Sequence, residues 1–270
     1  MSAANIYQFL LEKRQQQKKS LAVLIDPDKN NLARLEQTLS RCEKASVDYF
    51  FVGSSLLLHD GLDRCVQFIK KKSTIPVVLF PGNRFQIYKE ADAILLLSLI
   101  SGRNPELLIG QHVQAAPQLK NSGIEIIPTG YMLIDGGKLT SVHYVSQTLP
   151  IPADKNDIAV STALAGEMLG LKAIYLEAGS GAKNPVSESM ISEVRKNISV
   201  PLIVGGGIRS GEAAYHACKA GADLLVVGNG FEDKPELIAE IASAVREASR
   251  HPEFIEGWQT GNRHSSTSTE

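Results

Sequence analysis

Two groups of residues, each at the end of an apolar run, have the types and spacing needed to handle anions. The first is a series of glycine-rich turns late in the chain: Tyr175-Leu176-Glu177-Ala178-Gly179-Ser180-Gly181, Val204-Gly205-Gly206-Gly207-Ile208 and Val227-Gly228-Asn229-Gly230. Glycine lets the backbone approach an anion closely and turn its N–H groups inward, and a following helix N-terminus adds partial positive charge. One such turn is often no more than a tight turn. Several at consecutive strand ends point to a small phosphorylated substrate. The second group is Leu24-Ile25-Asp26-Pro27-Asp28-Lys29 with Val52-Gly53-Ser54-Ser55. Pro27 fixes φ, removes a donor and stops a strand, which leaves Asp26 at the strand tip. One carboxylate and one hydroxyl suit Mg²⁺, which keeps waters and completes its octahedron with substrate phosphate oxygens. The plainer alternatives are a cap or turn former for Asp26 and turn or N-cap residues for Ser54 and Ser55. Asp28 and Lys29 are expected to be solvated turn residues.

Glu177 follows an apolar strand and precedes a phosphate-type turn. It reads either as the partner of a nearby Lys or Arg, or as a general base or hydroxyl-orienting group. Tyr175, two residues earlier on the same strand face, is placed to donate to the same substrate. His112 lies in a helical pattern and reads as a packed or surface histidine. No Ser-His-Asp or Cys-His grouping occurs in the order those mechanisms require.

The elements that must position these residues are eight short runs rich in branched residues: 21–26, 49–53, 76–80, 93–98, 125–129, 173–177, 201–205 and 224–227. Their nearly continuous apolar character suits parallel strands buried on both faces. Between them, amphipathic patterns predict helices over 32–44, 62–71, 105–120, 155–169, 187–196, 211–220 and 235–250. Asn104-Pro105 and Ser210 supply start signals. The third unit is weak: Arg84–Glu90 spans about two turns, so its helix is expected to be short, displaced or missing. Eight strand–helix alternations predict an α/β fold of the (β/α)8 TIM-barrel class. A doubly wound open sheet is the alternative, but no Gly-x-Gly-x-x-Gly follows the first strand. Residues 6–16 predict an extra helix that closes the barrel floor. Thr129–Pro152 is long for a βα loop and is expected to be functional at the rim. Residues 1–256 read as one domain, and 257–270 as a polar tail expected to be disordered.

Composition excludes several classes. The 28 Lys plus Arg against 29 Asp plus Glu leave no cationic excess for a nucleic-acid partner. Cys42, Cys65 and Cys218 are widely spaced, with no C-x-x-C pair, and read as reduced core fillers of a cytoplasmic protein. The first twenty residues lack an apolar signal core. The longest apolar stretch, around Ala93–Leu97, falls far short of the ~20 residues that span a bilayer.

Taken together, these motifs resemble the geranylgeranylglyceryl phosphate synthase family and its bacterial heptaprenylglyceryl phosphate synthase relatives. The resemblance runs from Leu21 to about Ala248 and includes Ser101-Gly102-Arg103-Asn104-Pro105-Glu106, Pro128-Thr129-Gly130-Tyr131 and Thr162-Ala163-Leu164-Ala165-Gly166-Glu167. It implies Mg²⁺-dependent transfer of a prenyl group, geranylgeranyl for this branch, from its diphosphate to the C3 hydroxyl of sn-glycerol 1-phosphate. It also implies Asp26 and Ser55 as magnesium ligands. Tyr175 to Gly181, Gly206, Gly207, Gly228 and Asn229 would hold glycerol phosphate, with Glu177 and Tyr175 in catalytic roles. Assembly as a dimer or hexamer and transient membrane contact at product release follow from the same resemblance. Two departures stand out. The family has Gly-Gly before the metal-binding hydroxyl, whereas this chain has Gly53-Ser54-Ser55, so Ser54 competes for the role. Leu24 stands where the heptaprenyl branch carries a phosphate-contacting lysine, which places the chain nearer the archaeal type. Phe80, Phe85, Ile87, Leu97, Leu99, Ile100 and Tyr131 are candidates for an apolar groove or for ordinary core. A phosphosugar isomerase or lyase and a non-catalytic phosphate-binding scaffold are the rival readings.

Overall fold

The computed structural model describes residues 5–29, 32–59, 61–228 and 236–250. The strands are β1 Ser20–Ile25, β2 Tyr49–Val52, β3 Val77–Leu79, β4 Ala93–Leu99, β5 Glu125–Leu133, β6 Ala173–Glu177, β7 Leu202–Gly205 and β8 Leu224–Val227. They pair in sequence order into a closed barrel, with β1 and β8 sealing it through parallel pairs such as Ala22 with Val226. The (β/α)8 expectation is met.

The uninterrupted apolar runs are explained by two apolar environments, one on each face of the sheet. Ala22, Tyr49, Phe51, Val78, Tyr175 and Ile203 fill the barrel interior. Their chain neighbours Val23, Phe50, Val52, Ile174 and Val204 pack outward against the helices. Successive side chains point to opposite faces, so both must be apolar when both are covered.

Helix α1, Ile6–Gln15, lies across the N-terminal end of the barrel. The backbone N–H groups of Ile6 and Tyr7 donate to the Glu125 carboxylate at the start of β5, and Ile6 and Leu10 are buried with the interior side chains. The main helices around the sheet are α2 Leu32–Lys44, α3 Leu62–Lys72, α4 Gln111–Ser122 preceded by a π-helical turn at Glu106–Gly110, α6 Asn156–Met168, α7 Glu188–Asn197, α8 Gly211–Ala220 and α9 Leu237–Arg250. Among the described residues, none of 81–92 is helical, so the third helix is missing. The long rim segment is more ordered than its composition suggests. Strand β5 runs on to Leu133, Ile134 bridges Ile151, and a short helix α5, Ser141–Ser146, lies between.

All three cysteines are buried and unpaired, and burial pushes each thiol up to about 12. They are inert packing groups. Among the described residues no helix is long and apolar enough to cross a membrane. The expected polar tail lies outside the described residues.

Candidate active site

A cavity of about 1440 Å³ occupies the C-terminal mouth of the barrel. Asp26 from the end of β1, Ser54 and Ser55 after β2, Glu177 on β6, Gly206 and Gly207 after β7, and Gly228 after β8 all line it. Both anion-handling groups seen in the sequence therefore open into one space.

On the glycine side, Gly179, Gly181, Gly206 and Gly207 have φ of +97°, +72°, +85° and +74°. L side chains rarely adopt such values. Close approach adds a second constraint at Gly206, where a β-carbon would lie 2.6 Å from both Glu177 Oε1 and Gly179 N. Glu177 is buried, and its Oε1 accepts the Gly179 N–H at 2.7 Å. Burial raises the Glu177 pKa above its usual value, while the Tyr175 hydroxyl and the Gly179 N–H pull it back down. No Lys or Arg is paired with this carboxylate among the described ion pairs. The ion-pair reading of Glu177 therefore finds no partner among the described residues.

Tyr175 is fully buried. Its ring stacks on Phe80 with centroids 5.3 Å apart and meets Tyr131 edge-on at 5.3 Å. Its hydroxyl packs against Gly205 and lies near Glu177, without a hydrogen bond of regular geometry. Burial, and secondarily the Glu177 charge, keep this phenol protonated well above its usual range.

Helix α8 has few free N–H groups at its start. Ser210 caps it by accepting the Ala213 N–H at 3.1 Å, and the Gly211 N–H is spent on Glu240. The Gly206–Gly207 turn ahead of the helix is the part that faces the cavity. Arg209 also lines the mouth and straps the turns together, donating to the carbonyls of Gly181 and Ala182 at 3.2 and 2.7 Å.

On the aspartate side, Asp26 Oδ1 accepts the Asp28 N–H at 3.1 Å, while Oδ2 receives the Ser54 hydroxyl at 3.3 Å and the Lys29 ammonium at 3.0 Å. Gln86 fixes Ser54 from both sides, accepting its N–H at 3.1 Å and donating to its carbonyl at 2.8 Å. Asp28 is not a solvated turn residue: its carboxylate is largely covered and accepts the Leu58 N–H at 2.6 Å, tying the β1 turn to the loop after β2. Lys29 is a solvated turn residue as expected, with its exposed ammonium paired to Asp26.

A second, apolar pocket of about 220 Å³ opens beside the first. Ser54, Ser55, Phe80, Tyr131, Val142 and Val145 line both spaces. Of the proposed groove residues, Phe80, Ile87, Leu97, Leu99 and Tyr131 line this pocket. Phe85 is 75% exposed and carries the Arg84 guanidinium over its ring, and Ile100 packs against the outer core. His112 is a packed histidine whose Nε2 lies 2.8 Å from the Leu97 carbonyl oxygen.

Of the glycerol-phosphate candidates, Tyr175, Glu177, Ser180, Gly181, Gly206, Gly207 and Gly228 line the mouth, as does Leu24. Leu176 and Ala178 turn their side chains into the outer core, and Gly179 spends its N–H on Glu177. Asn229 lies outside the described residues. Arg209, Thr140 and His143 are cavity residues that the residue types and spacing do not mark, and the same holds for Gln86, which supports Ser54 without lining either cavity. Gln86 falls in the weak 84–90 segment, which forms no helix, and no local pattern marks it.

The PcrB family model matches residues 13–246 of this chain. The geranylgeranylglyceryl phosphate synthase of Chitinophaga pinensis is 56% identical over 244 residues, covering 90% of this chain and 97% of that protein. The enzyme of the same name from Pyrococcus horikoshii is 41% identical over 246 residues, covering 91% and 95%. Among solved structures, (S)-3-O-geranylgeranylglyceryl phosphate synthase from Thermoplasma acidophilum, in complex with its substrate sn-glycerol-1-phosphate, superposes with a TM-score of 0.85 at 33% identity, covering 90% and 98% of the two chains. The motifs, the closed barrel and these likenesses agree, and the chain belongs to the PcrB family.

Proposed function

We propose that this protein is a prenyltransferase that joins a geranylgeranyl group from its diphosphate to the C3 hydroxyl of sn-glycerol 1-phosphate, releasing diphosphate. One observation carries the reading. Ser54, Ser55 and Phe80 line both the polar mouth and the apolar pocket, so a diphosphate beside Asp26 has an apolar slot on one side and the glycine turns on the other. The names of the relatives from Chitinophaga and Pyrococcus, and the ligand of the Thermoplasma enzyme, support the same substrates.

Ser180, Gly181, Gly206, Gly207, Gly228 and Asn229 are the residues we assign to the glycerol phosphate, with Tyr175, Leu176, Ala178 and Gly179 forming the rest of the β6 turn. Anchoring a three-carbon molecule by its phosphate brings its far hydroxyl to a fixed place. Glu177 orients that hydroxyl and takes its proton as the new ether bond forms at the prenyl carbon. The bond from that carbon to the diphosphate oxygen breaks, and the electron pair leaves with diphosphate. A raised pKa makes Glu177 a better base than an exposed carboxylate. Tyr175, held protonated, walls the carboxylate from below.

The donor set beside Ser54 fits Mg²⁺. It offers hard oxygen atoms only, and the described residues contain no cluster of three His, Cys, Asp or Glu that would cage a metal without substrate. Asp26 and Ser55 would hold the ion, while Ser54, already donating to Asp26, orients the carboxylate. When bound, Mg²⁺ offsets the negative charge that grows on the departing diphosphate. Lys29 supplies a further cation at the same oxygen.

The product is a lipid, and Leu58, Leu139, Tyr144 and Leu149 line the mouth as exposed apolar side chains, which supports transient contact with a membrane at release. The three unpaired cysteines support a reducing, cytoplasmic compartment. Assembly as a homo-oligomer, dimer or hexamer, belongs to the same reading, and the exposed Met168 and Leu169 offer apolar surface for it.

A phosphosugar isomerase or lyase, or a phosphate-binding scaffold, would need the glycine cradle but neither Asp26 nor the apolar pocket. The experiment is a product assay with purified protein, radiolabelled prenyl diphosphates of several lengths, sn-glycerol 1-phosphate and Mg²⁺. An organic-extractable prenyl ether is expected. No such product at any chain length would remove the proposal.

A further inference from the structure

The segment between β5 and α6 holds a buried histidine that the reaction as derived does not use. His143 is 5% exposed, and its Nδ1 accepts the backbone N–H of Thr140, the residue that caps α5, at 3.0 Å. The Thr140 hydroxyl lies 2.7 Å from the same nitrogen. A ring nitrogen that accepts an N–H has no proton of its own, so the neutral imidazole carries its hydrogen on Nε2. Burial pushes the His143 pKa down, against the pull of Asp135, which favours this neutral form. Glu or Gln commonly stands at this third helical position and reaches back to the capping residue. Here a less flexible imidazole does so.

Thr140 connects this cap to the reaction centre. A β-carbon on Gly179 would fall 2.4 Å from Thr140 Oγ1 and 2.8 Å from its methyl carbon, so the threonine side chain lies directly against the glycine. Gly206 closes in from the same turn cluster, with its own β-carbon position 2.6 Å from Gly179 N. Gly179 is thereby held with its N–H on Glu177 Oε1.

We propose that His143 is a positioning residue for the glycerol-phosphate half of the reaction. By holding Thr140, it presses Gly179 into the turn that sets both Glu177 and the phosphate cradle. The inference rests on the prenyl-transfer reading for its substrates. The structure also supplies an internal control. Val142 and Val145 of the same short helix line the apolar pocket, so general loosening of α5 disturbs the prenyl site, whereas release of Thr140 alone does not.

The test is steady-state kinetics on the full-length protein, varying each substrate in turn, for wild type, His143→Ala, His143→Gln and Thr140→Ala. His143→Ala is expected to raise KM for sn-glycerol 1-phosphate about tenfold, the scale of a lost outer-shell hydrogen bond, and to leave KM for the prenyl diphosphate unchanged. His143→Gln, whose side-chain oxygen accepts the same N–H, recovers most of the loss. Thr140→Ala reproduces it with His143 intact, and so decides the matter even if His143→Ala does not fold. An unchanged KM for glycerol phosphate overturns the proposal. So do two Michaelis constants that rise together without recovery in His143→Gln. Calorimetric binding of sn-glycerol 1-phosphate alone gives the same comparison without turnover. A wild type that forms no prenyl ether therefore overturns the functional reading and leaves the role of His143 decidable.

Discussion

The Ser54 hydroxyl lies 3.3 Å from Asp26 Oδ2, an oxygen that also receives the Lys29 ammonium at 3.0 Å. The carboxylate is therefore oriented by the protein's own groups, and Ser55, which lines both cavities, is the hydroxyl we propose for the ion. Asp26→Asn keeps the shape and removes the charge. It is expected to lower kcat about 10²- to 10³-fold, the scale of one lost electrostatic contact to a transition state, with the melting temperature nearly unchanged. Ser55→Ala should raise the Mg²⁺ concentration for half-maximal rate more than Ser54→Ala does. Magnesium titrations of the three variants check this.

If Glu177 is the base we propose, it sets the pH dependence. Its raised pKa means that protonation on the acid side removes the base at a pH above the ordinary carboxylate value of 4.5. The kcat profile should fall on that side, and Glu177→Gln should lose the limb together with about 10²- to 10⁴-fold in rate. The effect on stability runs the other way. A group with a raised folded-state pKa binds its proton more tightly in the native state, so its contribution is full below the unfolded pKa and is lost as pH rises through the folded value. Glu177→Gln should therefore melt higher than wild type at neutral pH, while at acid pH the two converge.

Gly206→Ala tests the cradle. It places a β-carbon at a φ of +85° and 2.6 Å from Glu177 Oε1. A left-handed non-glycine residue costs about 1–2 kcal/mol, and the contact adds to that. Both a lower melting temperature and a raised KM for sn-glycerol 1-phosphate are expected.

Away from the mouth, Asp223 and Arg195 form a largely buried ion pair at 2.9 Å, and Asp223 also accepts the Leu202 N–H. Removing one partner strands the other charge, at a cost of about 3–5 kcal/mol. Asp223→Ala should show this in denaturant unfolding, while protein that stays folded keeps its KM values.

Much of this fold was legible because a strand covered on both faces has nowhere to place a polar residue. The runs that form β2, β7 and β8 show this directly. The glycine turns were legible for a related reason, since few other residues take those backbone angles. What escaped depends on contacts between distant segments. Gln86 is invisible until the helix-less stretch after β3 folds back onto Ser54. Thr140 meets Gly179 only because β5 extends to Leu133 and carries the rim segment across the mouth. It is the Ser54 hydroxyl that the β2 turn aims at Asp26, and spacing does not encode which of the two serines does so. Phe85 is a candidate for the groove or the core by its apolar character, but it is exposed and carries Arg84 over its ring.

The most direct test is a crystal structure of the protein with sn-glycerol 1-phosphate, Mg²⁺ and an unreactive thio-analogue of geranylgeranyl diphosphate. The prediction is a phosphate against Gly206, Gly207 and Gly228, a diphosphate beside Asp26, and a prenyl chain passing Phe80 into the pocket under Leu97 and Leu99. A glycerol phosphate bound away from the glycine turns, or a prenyl chain lying elsewhere on the protein, would contradict it.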